Sequence, residues 1–262
     1  MNSVSALFDL TGRVALVTGA GSETGIGFAA AALLGSMGAR VGVTATSGRI
    51  DVRVAELREL GVDAVGVAAD LTESAQAGTV VESVVQRLGG LDILVNNAGM
   101  TSVTDPVDSA GGIQMSDDDW RSGVARNLDT AYFVTRFAWP HLLSSSAGRV
   151  VNVASITGPV MAMRAEPVYA AAKAGMVGLT RALALEGAES GVTVNAVCPG
   201  WIATGSQNEH ERLQGERTPM RRSATAAEVA SAIVWLATPG ASYITGQCVV
   251  VDGGNSIAEE RA

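Results

Sequence analysis

The chain is poor in the residues that build metal centres and covalent scaffolds: of 262 residues, only Cys198 and Cys248 are cysteine and only His141 and His210 are histidine. These four lie far apart in sequence without metal-ligand spacing, and both cysteines sit in apolar runs. Packed thiols are therefore expected, with neither a structural or catalytic metal nor a disulfide framework. Positive charge is also short, with 18 Lys plus Arg against 26 Asp plus Glu, a net charge of -8 and a pI of about 4.8. Such a surface offers no basic face to a polyphosphate backbone, so nucleic acid is excluded as a partner. No uncharged apolar run is long enough to span a bilayer, and Met1 to Leu10 has neither a basic n-region nor a long apolar core. A soluble, cytoplasmic protein without membrane contact is expected. Apolar residues still make up 47% of the chain, enough for a sizeable core in one α/β domain spanning residues 1–262.

Short apolar runs alternate with helical stretches throughout, with no linker and no fixed-period repeat, which implies one doubly wound parallel sheet. Arg13 to Thr18 reads as the first strand and ends in Gly19-Ala20-Gly21-Ser22-Glu23-Thr24-Gly25-Ile26-Gly27. An Ala/Leu-rich helix follows to Met37, closed by Gly38. Strand, glycine-rich turn and helix N-terminus in that order suit a pyrophosphate, which backbone N–H groups and the helix dipole would meet. The second strand, Arg40 to Ala45, runs into Thr46-Ser47-Gly48-Arg49 rather than the acid that usually holds an NAD ribose. Hydroxyls and Arg49 there favour NADP(H), with NAD(H) as the other option; alternatively, Arg49 is a solvated first-turn residue of the next helix. A third strand, Val62 to Ala68, leads to Asp70, placed to meet an adenine edge, to cap the helix starting near Thr72, or both. The fourth strand, Leu91 to Val95, delivers Asn96-Asn97-Ala98-Gly99, either a backbone surface for a cofactor or a tight turn.

Residues 100–119 read as a loop ending in Ser116, an N-cap ahead of Asp117, Asp118 and Asp119. Asn127 lies inside the next helix, where a special hydrogen bond would explain it. The fifth strand, Arg149 to Ala154, presents Ser155 at its end. Tyr169 and Lys173 follow at i,i+4 spacing on one helix face. An ammonium beside a phenol should lower the phenol's pKa and make the pair an acid or base near pH 7. This helix is apolar on nearly every face, as is the one after Asn127, so both could form a subunit interface. After a sixth strand, Val192 to Val197, Pro199-Gly200 opens a polar, weakly periodic stretch, 201–222, that reads as a mobile substrate flap. An amphipathic helix, Glu228 to Ala237, and a last strand, Gln247 to Val251, complete the domain.

These residues together resemble the short-chain dehydrogenases/reductases, particularly the ketoreductase branch that includes 3-oxoacyl-(acyl carrier protein) reductases. The resemblance runs from Thr18-Gly19 through Asn96-Asn97-Ala98-Gly99, Asn127, Ser155, Tyr169 with Lys173 and Pro199-Gly200 to Ile244-Thr245-Gly246 and Val251-Asp252-Gly253-Gly254. It implies a Rossmann-type sheet of about seven strands with helices on both faces, and a homotetramer. It also implies that Tyr169 is the general acid/base, that Ser155 polarises the substrate oxygen, that Lys173 binds the nicotinamide ribose, and that Asn127 holds a water beside Lys173. Cofactor contacts are expected at Gly19, Gly21, Gly25 and Ile26; at Thr46, Ser47 and Arg49; and at Asp70 and Leu71. Asn97, Ala98, Gly99, Tyr169, Lys173, Pro199, Gly200, Ile202 and Thr204 complete that set.

Two features depart from the family pattern. Two extra residues separate Gly19 from Gly25, and the charge of Glu23 would oppose a nearby 2′-phosphate. Ser146 and Ser190 stand where carrier-docking members have basic side chains, so the expected substrate is a small apolar ketone or its alcohol rather than a carrier-bound thioester. A 3-oxoacyl-carrier reductase, an NAD-dependent sugar-alcohol or hydroxysteroid dehydrogenase and a catalytically silent nucleotide sensor are the alternatives.

Overall fold

In the computed structural model, residues 4–99 and 112–259 are described. The chain alternates strand and helix: β1 (Val14–Val17), α1 (Ile26–Ser36), β2 (Arg40–Ala45), α2 (Arg49–Glu59), β3 (Ala64–Ala68), α3 (Ser74–Leu88) and β4 (Ile93–Asn96). Then come α4 (Asp117–Val124), a π-helical turn (Ala125–Asp129), α5 (Thr130–Ser144), β5 (Arg149–Val153), α6 (Pro167–Ala188) and β6 (Thr193–Pro199). The last part holds β7 (Ile202–Ala203), α7 (Glu209–Glu216), β8 (Ala224–Thr225), α8 (Ala226–Ala237) and β9 (Cys248–Val251). Seven strands form one parallel sheet in the order β3-β2-β1-β4-β5-β6-β9. The order reverses between β1 and β4, which opens a crevice at their carboxyl ends.

Side chains of each central strand alternate between two cores, as the period of a strand requires. Ala15, Val17, Val41, Val43, Val95 and Val151 pack with Leu34, Ile50, Val229 and Ile233, from α1, α2 and α8. Val14, Leu16, Leu94 and Val150 pack on the other face with Val80, Val84, Val134 and Leu142, from α3 and α5. Burial on both faces explains why these strands read as continuous apolar runs. Gly38 follows α1 at φ +97°, where a Cβ would lie 2.7 Å from Thr11 Oγ1, so the helix ends where expected. Ser116 likewise caps α4, its side chain accepting from the Asp119 N–H.

One expectation is corrected here. Cys198 and Cys248 are not separate packed thiols but a disulfide with Cα atoms 6.4 Å apart. The reason is the sheet order: β6 and β9 are neighbours, with Ala196 opposite Cys248 and Cys198 opposite Val250, which brings together residues 50 apart in sequence. Residues 201–222 include β7 and α7. Asn208 and Glu211 form a reciprocal capping box at the start of α7, each side chain bonding the other's backbone N–H. The stretch from 100 to 111 falls outside the described residues.

Candidate active site

Backbone shape defines one wall of the crevice. Gly19 has φ +68° and approaches β4 so closely that a Cβ would lie 2.8 Å from Ala98 Cα. Thr18 Oγ1 accepts from the N–H groups of Asn97 and Ala98, both at 2.9 Å, and Asn97 Nδ2 donates to the carbonyls of Thr18 and Gly19 at 3.1 and 3.0 Å. The Asn97 amide therefore braces the turn. A Cβ on Gly27 would meet that amide and the Gly19 carbonyl at 2.6 and 2.7 Å. α1 begins at Ile26 behind Gly25, so free N–H groups at its start face the cradle.

At the adenosine end, Arg49 is the first residue of α2 and folds back onto the loop: a Cβ on Gly21 would lie 2.6 Å from Arg49 Nε. That nitrogen is buried without a hydrogen-bond partner, so Arg49 is not a solvated first-turn residue. Thr46 is exposed and Ser47 half-buried beside it. An unpartnered guanidinium N–H against a glycine cradle fits a phosphorylated nucleotide. Asp70 is exposed and accepts from both Thr72 N (3.0 Å) and Thr72 Oγ1 (2.7 Å), shaping the turn before α3. The Leu71 side chain belongs to the core, which leaves only its backbone for a ligand.

β4, β5 and α6 bring Gly99, Ser155, Tyr169 and Lys173 together, with Asn127 from the π-turn. The Ser155 hydroxyl lies near enough to the Tyr169 hydroxyl to act on its titration. Ser155 Oγ also accepts from the Thr157 N–H at 3.1 Å. Lys173 Nζ donates to the Val153 carbonyl at 3.0 Å and lies 5.6 Å from the centre of the Tyr169 ring. A Cβ on Gly99 would sit 3.0 Å from Asn127 Oδ1 and 3.4 Å from Lys173 Nζ, so glycine is required for that approach. Asn127 is buried, and its Nδ2 donates to the Gly123 carbonyl at 3.1 Å, the special bond its mid-helix position suggested. On the far side, the Gly200 N–H donates to Val251 O at 3.0 Å, with Ile202 in β7 and Thr204 just beyond.

The electrostatics correct the expected direction for Tyr169. Burial pushes its hydroxyl above the ordinary value of 10, the nearby Ser155 hydroxyl works against the rise, and the charges of Glu166 and Glu211 add to it. Burial also pushes Lys173 down, from 10.5 to about 8. The low-dielectric environment thus disfavours the charged form of each more than the neighbouring group restores it. Lys173 is the only lysine of the chain. The folded form releases its proton near pH 8 and the unfolded chain near 10.5, so between these values the unfolded state binds more protons and stability rises with pH. Above pH 10 Tyr169 reverses the trend, because there the folded state holds the extra proton. From pH 7.5 to 9.5 the protein should gain about 2 kcal/mol relative to Lys173→Met. Urea titrations of both proteins at the two pH values check this; parallel pH dependence would contradict it.

Sequence reasoning passed over the support beneath these groups. Asn96 Nδ2 donates to Thr135 Oγ1 at 2.8 Å and to Asn152 Oδ1 at 2.9 Å, and Asn152 Nδ2 donates to Thr180 Oγ1 at 2.8 Å. This buried network joins β4, β5, α5 and α6, the elements that carry the site. Its signal was an amide residue inside each of two apolar strands. The glycine-rich loop also reaches segment 201–222, since the Gly205 N–H donates to Thr24 Oγ1 at 2.8 Å.

A parallel sheet with a glycine cradle at its switch point and a Tyr-Ser-Lys cluster beside it, with Ser155 and Lys173 buried and Tyr169 half-buried, defines a dinucleotide-dependent oxidoreductase. A family profile described as enoyl-(acyl carrier protein) reductase matches residues 19–256. The 3-oxoacyl-(acyl-carrier-protein) reductase FabG of Pseudomonas aeruginosa is 39% identical over 250 residues, which cover 94% of this chain and 98% of that protein. Oxidoreductase UcpA of Escherichia coli is 35% identical, with 95% and 97% covered. The crystal structure of a dehydrogenase/reductase from Sinorhizobium meliloti superposes with a TM-score of 0.89 at 30% identity, covering 98% of this chain and all of that one. The chain belongs to the short-chain dehydrogenase/reductase family.

Proposed function

We propose that this enzyme transfers a hydride between NADP(H) and a carbonyl/secondary alcohol pair, acting mainly as a reductase of small apolar ketones. The observation that carries the reading is the buried Lys173 ammonium, which donates to the Val153 carbonyl and lies 5.6 Å from the centre of the Tyr169 ring, with Ser155 buried just beyond β5. When bound, the nicotinamide supplies or accepts the hydride. The Thr157 N–H holds Ser155 Oγ in place, and on substrate binding the Ser155 hydroxyl turns its proton to the substrate oxygen, where negative charge develops. Tyr169 delivers a proton to that oxygen, and burial keeps it protonated at neutral pH, which suits reduction. The Val153 carbonyl holds one N–H of Lys173, leaving two donors for the nicotinamide ribose. Asn127, facing Lys173 across Gly99, is assigned a water that links Lys173 to solvent. The orphaned Arg49 Nε against Gly21 supports NADP(H) over NAD(H).

A 3-oxoacyl thioester on an acyl carrier is the second reading, supported by the printed names of relatives 37–39% identical to this chain. Against it stand only the exposed Ser146 and Ser190. Initial rates with simple ketones and with 3-oxoacyl thioesters, each with NADPH and NADH, separate the two. Faster turnover of the ketones with NADPH supports the first reading; turnover confined to thioesters replaces it with the second.

Segment 201–222 is assigned as a mobile flap over the substrate, because it is polar and charged and follows directly on Pro199-Gly200 at the edge of the site. A cytoplasmic homotetramer belongs to the same reading. Leu185 on α6 is 81% exposed, and Tyr132 and Leu143 on α5 are exposed too, which leaves apolar faces for other copies. Light scattering should give the mass of four 26.6 kDa chains; a monomer would remove the assembly from the account.

A further inference from the structure

The lengthened loop carries a charge that meets the cofactor end of α2. Arg49 and Arg53 are one helical turn apart, so they share a face, and that face covers the loop and the start of α1. Arg53 is held over the Phe28 ring, 5.5 Å from its centre, and pairs with Glu56 of its own helix. Its side chain is only 12% exposed, and its Nε, like that of Arg49, is buried with no hydrogen-bond partner. The other anion within reach is Glu23, from the loop itself: its Oε2 lies 3.9 Å from Arg53 Nη1, and its side chain is 73% exposed. The Arg53 guanidinium thus faces two carboxylates, one half-buried and fixed on α2, the other solvated and on a loop. An exposed ion pair of this length is weak, so Glu23 is the group that an arriving phosphate can displace.

We propose that Glu23 is an intrachain stand-in for the cofactor's 2′-phosphate: its carboxylate occupies Arg53 until the phosphate displaces it, which lowers the preference for NADP(H) over NAD(H). The inference rests on the NADP(H) reading above and adds both a second cation, Arg53, and a competitor for it.

Calorimetric titration of the unmodified protein, Glu23→Gln, Arg53→Gln and the double variant tests it with two ligands. Adenosine 2′,5′-bisphosphate and adenosine 5′-monophosphate differ only in the 2′-phosphate, and neither requires turnover. Glu23→Gln should tighten the bisphosphate about threefold to tenfold and leave the monophosphate unchanged within about twofold, on the order of one exposed charge interaction. In the Arg53→Gln background that gain should vanish. If the unmodified protein prefers the bisphosphate but Glu23→Gln changes nothing, or if the gain persists without Arg53, the stand-in role is overturned and the NADP(H) reading survives. If neither the unmodified protein nor Glu23→Gln binds the bisphosphate more tightly than the monophosphate, the NADP(H) reading itself fails.

Discussion

Tyr169→Phe should retain cofactor binding and lose turnover by at least about a thousandfold. Removing one oxygen leaves the ring on α6 beside Lys173, so the wall of the crevice keeps its shape. What disappears is the group that protonates the substrate oxygen. Because the hydroxyl acts on charge that develops in the transition state, kcat should collapse while the dissociation constant for the cofactor moves little. Fluorescence titration with the reduced cofactor, paired with initial rates, separates the two quantities. Turnover within about tenfold of the unmodified enzyme would remove Tyr169 from the mechanism.

Arg49→Ala should have the next largest effect, confined to one cofactor. A guanidinium bonding a phosphate contributes about 1.5–3 kcal/mol, so the KM for NADPH should rise roughly tenfold to a hundredfold. NADH has no phosphate at that place, and its KM should stay within about twofold. The variant also relieves an Nε that is buried without a partner, so no loss of stability is expected to confuse the result. Equal weakening of both cofactors would show that Arg49 only shapes the loop around Gly21.

Much of this was legible in the chain because local rules agreed with the fold. Alternating apolar runs and helices gave the doubly wound sheet, Gly38 and Ser116 marked helix ends, and the i,i+4 spacing of Tyr169 and Lys173 put them on one face. What stayed hidden depended on which elements become neighbours. The Cys198–Cys248 bridge needs β6 and β9 side by side, and nothing within either strand says so. The direction of the Tyr169 shift depends on depth of burial, which a nearby lysine in sequence does not reveal. The Asn96-Asn152-Thr180 network is likewise a property of packed layers, although an amide in an apolar strand was its visible trace. The capping box of Asn208 and Glu211, by contrast, was local and readable, masked only by the polar composition around it.

The most direct test of the central claim is to follow a labelled hydrogen. With NADPH deuterated at nicotinamide C4 on the transferred face, and a simple ketone as substrate, the product alcohol should gain one deuterium on the former carbonyl carbon, and Tyr169→Phe should yield almost none. Unlabelled alcohol, or no alcohol from any ketone or 3-oxoacyl thioester despite measurable NADPH binding, would contradict hydride transfer at this site.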